Sequence, residues 1–469
     1  MVERKFRFCA VAIALLWTLD LDQRATAQTF SETLVNTYTN NPQIEAERAR
    51  QRSNDENVAR ARGGWRPTVT FYGEGGRGRD TQRQRSTLGT TAETSFYRDP
   101  AQARVIVQQS IYDGGRTIAD VERSEQLVMR GREALNAVEQ QSLLDGINAH
   151  LDVYRDLQIR GFVNDLVLAL QRQQRGIIAR RAVGDATTTD AAQAEARVAR
   201  GISDRQLVDG NLEGSRSAYQ RVTGTPSSDE IEDAPFPSQL PLQLVDAERA
   251  AIDNPSLRAA LYLERVSEAD IEAARGGLRP NLGLRASWSR YQQQDSPTFG
   301  RDVGEIALTM NMPLYEGGIA AARVREAKQI AAQRRMETEV TRRQVIDQIR
   351  RSWEALASAR ARVESTQVQI RASDVAVRGL EQEVRVGTRT VSDLLNAEQD
   401  FLDARSGFVR AKRDAVGSAY LLLNAIGRLT VDDLQIPVER YDPSAYYAKT
   451  NWRFFGTGIA QEEQSSPVK

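Results

Sequence analysis

The sequence predicts a mixed α/β membrane protein. Long antiparallel helices wind into a coiled coil, and a few strands complete a transmembrane barrel only together with further copies of the chain. Three observations predict this. Apolar residues recur every seven positions over long stretches, ten-residue segments alternate apolar and polar, and the chain repeats itself once.

The seven-residue period is plainest on either side of Arg385-Val386-Gly387-Thr388-Arg389-Thr390-Val391-Ser392-Asp393-Leu394-Leu395. Before it, Ile349, Leu356, Val363, Ile370, Val377 and Val384 keep the spacing. After it come the pairs Leu394/Leu395, Phe401/Leu402, Phe408/Val409, Ala415/Val416 and Leu422/Leu423. A strict heptad means a left-handed supercoil, and doubled apolar positions mean two seams, with neighbours on both sides. Gly387 supplies the positive φ that ends a helix, and Ser392 or Thr390 can cap the next one. The stretch is the tip of a long helical hairpin; an ordinary antiparallel coiled coil has the same signature.

The chain of 469 residues carries 63 basic and 63 acidic residues, so no polyanion partner and no nucleic acid is implied. A hydrophobic fraction of 40% with 27% charged suits thin apolar seams rather than one thick core. Residues 1–27 have the form of a secretory signal peptide: Arg4, Lys5 and Arg7, an apolar run from Phe8 to Leu19, and Ala25-Thr26-Ala27 as the cleavage signal. The one cysteine, Cys9, lies inside it, so the mature chain is expected to carry no disulfide, thiol or lipid-attachment site. No later stretch approaches the roughly 18–20 apolar residues of a transmembrane helix. An exported chain of this kind is periplasmic, secreted, or a β-barrel in an outer membrane.

In order, residues 30–63 read as helical, then break at Gly63-Gly64-Trp65-Arg66-Pro67; residues 243–276 do the same before Gly276-Gly277-Leu278-Arg279-Pro280. Asn41-Pro42 answers Asn254-Pro255, Tyr112-Asp113-Gly114-Gly115 answers Tyr315-Glu316-Gly317-Gly318, Val183-Gly184 answers Val386-Gly387, and Asp190 answers Asp393. Two strands are expected in each half: Asn281 to Arg290, with Leu282, Leu284, Ala286 and Trp288 on one face, and Glu305 to Leu314; in the first half, around Val69 and Phe71, and around Val105, Val107 and Ile111. Such alternation over about ten residues marks transmembrane barrels, although a two-sheet sandwich alternates in the same way. Segments 78–100 and 291–302 read as polar loops. All 14 prolines avoid residues 101–225 and 314–436, as two long helices per half require; a first helix of ~65 residues would span ~100 Å. The expected organisation is signal peptide 1–27, first repeat 28–225, linker 226–242, second repeat 243–430 and tail 431–469, with the end of the tail disordered.

Four strands cannot close a membrane barrel, whose smallest examples have about eight, and an open edge has no partner in lipid. Copies must therefore share the barrel. An eight-stranded dimer would have a filled interior, so a conducting version needs three or more.

Catalysis finds no support. There is one histidine, His150, and no HExxH, Walker or GxSxG pattern. The glycine-rich 73–78 lies in a strand and loop, not before a helix. A non-enzyme without cofactor or metal is expected, with His150 a seam residue beside Ile147, Leu151 and Tyr154. Trp288 and Tyr72 are candidate membrane-interface aromatics; for Trp65 and Tyr112 packing at the strand–helix junction serves equally.

This order of parts, with Val-Gly-Thr-Arg-Thr-Val-Ser-Asp-Leu-Leu-Asn-Ala at residues 386–397, resembles the TolC family of outer-membrane efflux proteins, from the end of the signal peptide to about residue 430. The resemblance implies a homotrimer: a shared twelve-stranded outer-membrane barrel continued by a helical coiled-coil barrel across the periplasm. It implies an exit duct with no enzymatic activity, serving tripartite efflux, hence antibiotic resistance, or type I secretion of polypeptides. Tips at Val183, Gly184, Val386, Gly387 and Thr388 would dock on a periplasmic adaptor bound to an inner-membrane transporter. Asp393 matches an acidic ring narrowing the pore, and Arg389 the arginine that bonds across to the neighbouring hairpin at the position of Asp190. Two departures weaken this gate: Asn396 replaces a second acidic ring, and Val384 a tyrosine. The rival expectation is a secreted or periplasmic coiled-coil stalk or adhesion protein without a pore.

Overall fold

The computed structural model describes residues 28–459 apart from Leu88. The expected signal peptide, with Cys9, and the last ten residues of the tail lie outside the described residues. Helices α1 (Phe30–Asn40) and α2 (Pro42–Arg62) lead to strands β1 (Thr68–Gly75), β2 (Gly78–Arg85), β3 (Thr91–Arg98) and β4 (Ala101–Tyr112). The first long hairpin follows as α3 (Arg116–Ala182) and α4 (Thr188–Thr223). The second half runs α5 (Leu244–Arg249), α6 (Pro255–Gly276), β5 (Asn281–Gln292), β6 (Gly300–Asn311), α7 (Ile319–Arg385), α8 (Val391–Ala425) and α9 (Pro443–Thr450).

Each half begins with two helices where the sequence suggests one. Pro42 and Pro255 force the preceding asparagine out of helical geometry, and Asn41 and Asn254 are extended, with ψ of 117° and 123°. Each asparagine then serves twice. Its Oδ1 accepts the N–H two residues on, from Gln43 and Ser256, both at 2.9 Å. Its Nδ2 donates to the last turn of the long hairpin in the same half, at Val222 O (3.2 Å) and Ala425 O (2.8 Å).

The first helix of each hairpin has 67 residues, and both stop in the same way. Gly184 (φ +86°) and Gly387 (φ +81°) turn the chain into the left-handed region, which costs glycine no Cβ clash. Asp185 N then bonds Arg180 O at 2.9 Å and Thr388 N bonds Glu383 O at 3.0 Å, closing the last turn.

The chain divides into two compact units that cut across the sequence repeat. One holds residues up to 47, 135–257 and 342–441; the other holds 48–134, 258–341 and 442 onward. In the first unit one seam of α8 packs on the first hairpin. Leu395 joins Leu170 and Val198, and Leu402 joins Ile159, Val163 and Val167. On α7, Ile349 and Leu356 are buried, whereas Val363, Ile370, Val377 and Val384 are only half-covered.

The second unit contains all the strands. One sheet is antiparallel in the order β1-β4-β5-β6, and β2 pairs with β3 separately. Segment 78–100, read above as a polar loop, therefore carries a two-stranded ribbon. Its polar, non-alternating sequence hid the pairing because neither face is buried. Strand β6 also starts five residues earlier than expected, and 291–302 shrinks to a short turn.

Candidate functional site

Cross-strand partners point to the same side of a sheet, so the register sorts the four-stranded sheet into two faces. Val69 and Phe71 on β1 pair with Val107 and Val105 on β4; these pair with Ala286 and Trp288 on β5; and Ala286, Leu284 and Leu282 pair with Ile306, Leu308 and Met310 on β6. Among the described residues nothing covers this apolar face: Phe71 is 70% and Ile306 79% exposed. The other face carries Arg104, Arg285, Ser287, Ser289, Tyr291 and Glu305. There Arg104 bonds Tyr291 Oη at 2.7 Å and Ser289 Oγ at 3.2 Å. Trp288 stands on the apolar face with Arg290 over its ring at 5.6 Å. Tyr72, expected beside it as an interface aromatic, stands on the polar face in register with Arg104, its hydroxyl donating to Glu74 at 2.9 Å. Phe71 takes the outward position, because neighbours along a strand face opposite ways. Among the described residues β1 and β6 each pair on one edge only.

At the tips, Thr187 and Thr390 cap α4 and α8 with reciprocal capping boxes closed by Asp190 and Asp393. Thr390 N donates to Asp393 Oδ2 at 3.2 Å and Thr390 Oγ1 donates to it at 2.8 Å; Asp190 Oδ2 receives the same pair from Thr187, at 2.9 and 2.7 Å. The side-chain bond to Thr390, then the backbone bond, holds Asp393 below the usual carboxylate range; for Asp190 the backbone bond to Thr187 leads. Arg389 pairs with Glu383 of its own tip at 3.3 Å, both half-exposed. The expected bond between Arg389 and Asp190 is absent from the contacts among the described residues. Val183 and Val386, beside the turn glycines, are 80% and 73% exposed.

Two bonds that sequence reasoning missed tie the two hairpins together. Arg197 on α4 donates to Asn396 Oδ1 on α8 at 2.8 Å, and Gln173 on α3 donates to Glu398 Oε1 at 2.9 Å. Burial first, then the nearby Glu381, raises the Glu398 carboxyl above its ordinary range. Asn396, noted above as a missing charge, is thus a neutral acceptor for an arginine of the other hairpin.

His150 is buried at a junction of four segments. Its Nδ1 lies 2.8 Å from Thr33 Oγ1 of α1, which lies 2.9 Å from Tyr219 Oη of α4; its Nε2 lies 2.8 Å from the Glu232 carbonyl. A carbonyl only accepts, so Nε2 holds the proton, Thr33 donates to Nδ1, and Tyr219 donates to Thr33. Phe30 closes the site edge-on at 5.3 Å. Both ring nitrogens are engaged, which is the seam role expected of this histidine.

A family description, "Outer membrane efflux protein", matches residues 247–428. The outer membrane efflux protein BepC of Brucella suis biovar 1 is 32% identical over 453 residues, covering 95% of this chain and 96% of the relative. The proteases secretion protein PrtF of Dickeya chrysanthemi is 26% identical, covering 80% and 82%. In structure, the CmeC outer membrane channel of Campylobacter jejuni superposes with a TM-score of 0.72 at 14% identity, over 89% of this chain and 88% of that one.

Proposed function

The chain belongs to the TolC family of outer membrane efflux proteins, and from that premise we propose that it is the outer-membrane exit duct of a tripartite efflux or type I secretion system. One observation carries the reading. A four-stranded sheet wears its large apolar side chains outside, leaves both edges unpaired, and joins 67-residue helices. A stalk in water has no use for exposed Phe71, Ile306, Leu308 and Met310 on one face; lipid does, and lipid also forbids the open edges. Three chains meeting β1 to β6 give a closed barrel of twelve strands around the polar face, with Trp288 anchoring at its rim. The helical part then lies in the periplasm, and the signal peptide is removed after Ala27. The names of the relatives span efflux and protease secretion.

The tips carry the remaining roles. Val183, Gly184, Val386, Gly387 and Thr388 form small exposed apolar ends that suit docking on a periplasmic adaptor, itself joined to an inner-membrane transporter. Three copies of Asp393, with Arg389 reaching toward Asp190 of an adjacent hairpin, form the constriction. Bilayer conductance of the parent, Arg389→Ser and Asp393→Ala channels tests this: Arg389→Ser should conduct more, and Asp393→Ala should select cations less. Identical conductance and selectivity in all three would place the constriction elsewhere. Crosslinking in detergent should trap a trimer; a stable membrane-inserted monomer refutes the shared barrel.

A further inference from the structure

The ribbon β2–β3 has no part in closing a barrel, yet it keeps the pairing frame of β1–β4. Gly75 pairs with Ala101, Gly76 N donates to Pro100 O at 2.9 Å, and Gly78 pairs with Arg98, through to Arg85 with Thr91. The two hairpins are one continuous ribbon. The helices join β1 and β4 at its open end, so β2–β3 leaves the sheet at the opposite end, and β5 and β6 stop at Gln292 and Gly300.

Because the frame is unbroken, the face that carries Val69 and Phe71 carries Arg77, Arg79, Arg83 and Arg85 further on. The level at which apolar gives way to charged is marked on β5 and β6. Above Trp288 comes the ion pair of Arg290 with Asp302, at 2.8 and 2.9 Å. Beyond that level four arginines stand on the outward face against two carboxylates, Asp99 and Glu93. Arg77 pairs with Asp99 at 3.2 Å and Arg83 with Glu93 at 3.1 Å, all well exposed. Arg79 donates to Ser95 Oγ at 2.9 Å and lies 5.8 Å from the Tyr97 ring centroid. Arg85 has no ion pair among the described residues. The opposite face of the ribbon is neutral, with Asp80 paired to Arg98 at 3.4 Å.

We propose that this outward face binds the phosphate groups of anionic glycolipids in the outer leaflet, clamping the barrel to its surrounding lipid. The row of arginines begins at headgroup depth, just above the apolar, lipid-facing surface, and extends outward along the ribbon. Guanidinium groups take phosphate oxygens in pairs, and Tyr97 offers the amphipathic ring that interfaces favour. The site rests on the outer-membrane reading above.

Titrating the detergent-solubilised full-length channel with bisphosphorylated lipid A, or with the same lipid after phosphate removal, tests it by native mass spectrometry. Replacing Arg79, Arg83 and Arg85 together by Ser should weaken retention of the phosphorylated lipid about tenfold to a hundredfold. The triple Lys variant should keep most of the binding, and the dephosphorylated lipid should bind the parent as weakly as phosphorylated lipid binds the Ser variant. Millimolar inorganic phosphate should not displace the lipid. Equal retention by parent and Ser variant, equal retention of both lipids, or displacement by inorganic phosphate overturns the proposal. Flotation with phosphatidylethanolamine–phosphatidylglycerol vesicles is read alongside. Parent and variants should all insert, and a parent that stays soluble overturns the outer-membrane reading itself.

Discussion

The strand sheet and the junction around His150 solve opposite problems. The sheet exposes Phe71, Ile306 and Leu308 and leaves two edges of backbone unpaired. The junction buries Thr33, His150 and Tyr219 and gives each a hydrogen-bond partner from another segment. Folding normally buries apolar groups and satisfies polar ones. The junction follows that rule within a single chain, and the sheet follows it only when lipid and neighbouring copies are included. The difference separates what the chain stabilises by itself from what its surroundings must supply.

The sharpest break in that contrast is a charge on the apolar face. Ile306 lies mid-strand, in register with Ala286. Ile306→Arg should cost roughly 2–4 kcal/mol per chain at the bilayer midplane, repeated in every copy of an assembly. Outer-membrane insertion, followed by urea extraction, should fail. Ser287→Arg, one register row away on the polar face, should insert normally. Equal behaviour of the two variants would show that the faces are wrongly assigned to lipid and lumen.

The junction should respond to a smaller, internal change. Thr33→Val removes the donor to His150 Nδ1 and the acceptor for Tyr219, leaving two buried polar groups unpaired at about 1–3 kcal/mol each. Hydrogen exchange in α1 should quicken while insertion persists. Acid should act on the same site. Burial, opposed by the Glu232 carbonyl and nearby acids, holds His150 below its ordinary value of 6.5. The folded junction therefore binds fewer protons than the unfolded chain. Its stability is full above about pH 6.5 and declines as pH falls through the lower folded value. Exchange protection in α1 that is unchanged between pH 7.5 and pH 5 would contradict the buried neutral ring.

Much of this was legible because long-period features survive in sequence. Heptads, proline-free runs and strand alternation mark the long hairpins and the four barrel strands, and the paired Val-Gly turns mark both tips. What escaped depends on partners distant in sequence. The amides of Asn41 and Asn254 were visible only as repeat markers, since their acceptors, Val222 and Ala425, lie more than 170 residues away. Arg197 and Asn396 meet across two hairpins. Tyr72 was misplaced because a one-residue step flips a side chain to the other face, and Phe71 beside it is equally aromatic. Ribbon β2–β3 escaped because exposure on both faces removes the alternation that betrays a strand.

The finest test sets one tip against the other. Both tips use the same capping box, and substituting Ala for a capping Thr costs about 1 kcal/mol of helix stability. Thr187→Ala frees Asp190 at the start of α4, where Ala191 and Ala194 pack only small side chains against Ile177. Thr390→Ala frees Asp393 at the start of α8, where the buried Leu394 and Leu395 follow and Leu395 holds Leu170 and Val198. The same lost cap should therefore fray α4 over more residues than α8, because the larger side chains of α8 arrest the fraying within its first turn. Hydrogen exchange across 188–194 and 391–397 measures this. Equal fraying at both tips would mean that the caps, rather than the seams, hold the helix starts. The starts of both short helices would then be set by the two threonines and the carboxylates they engage.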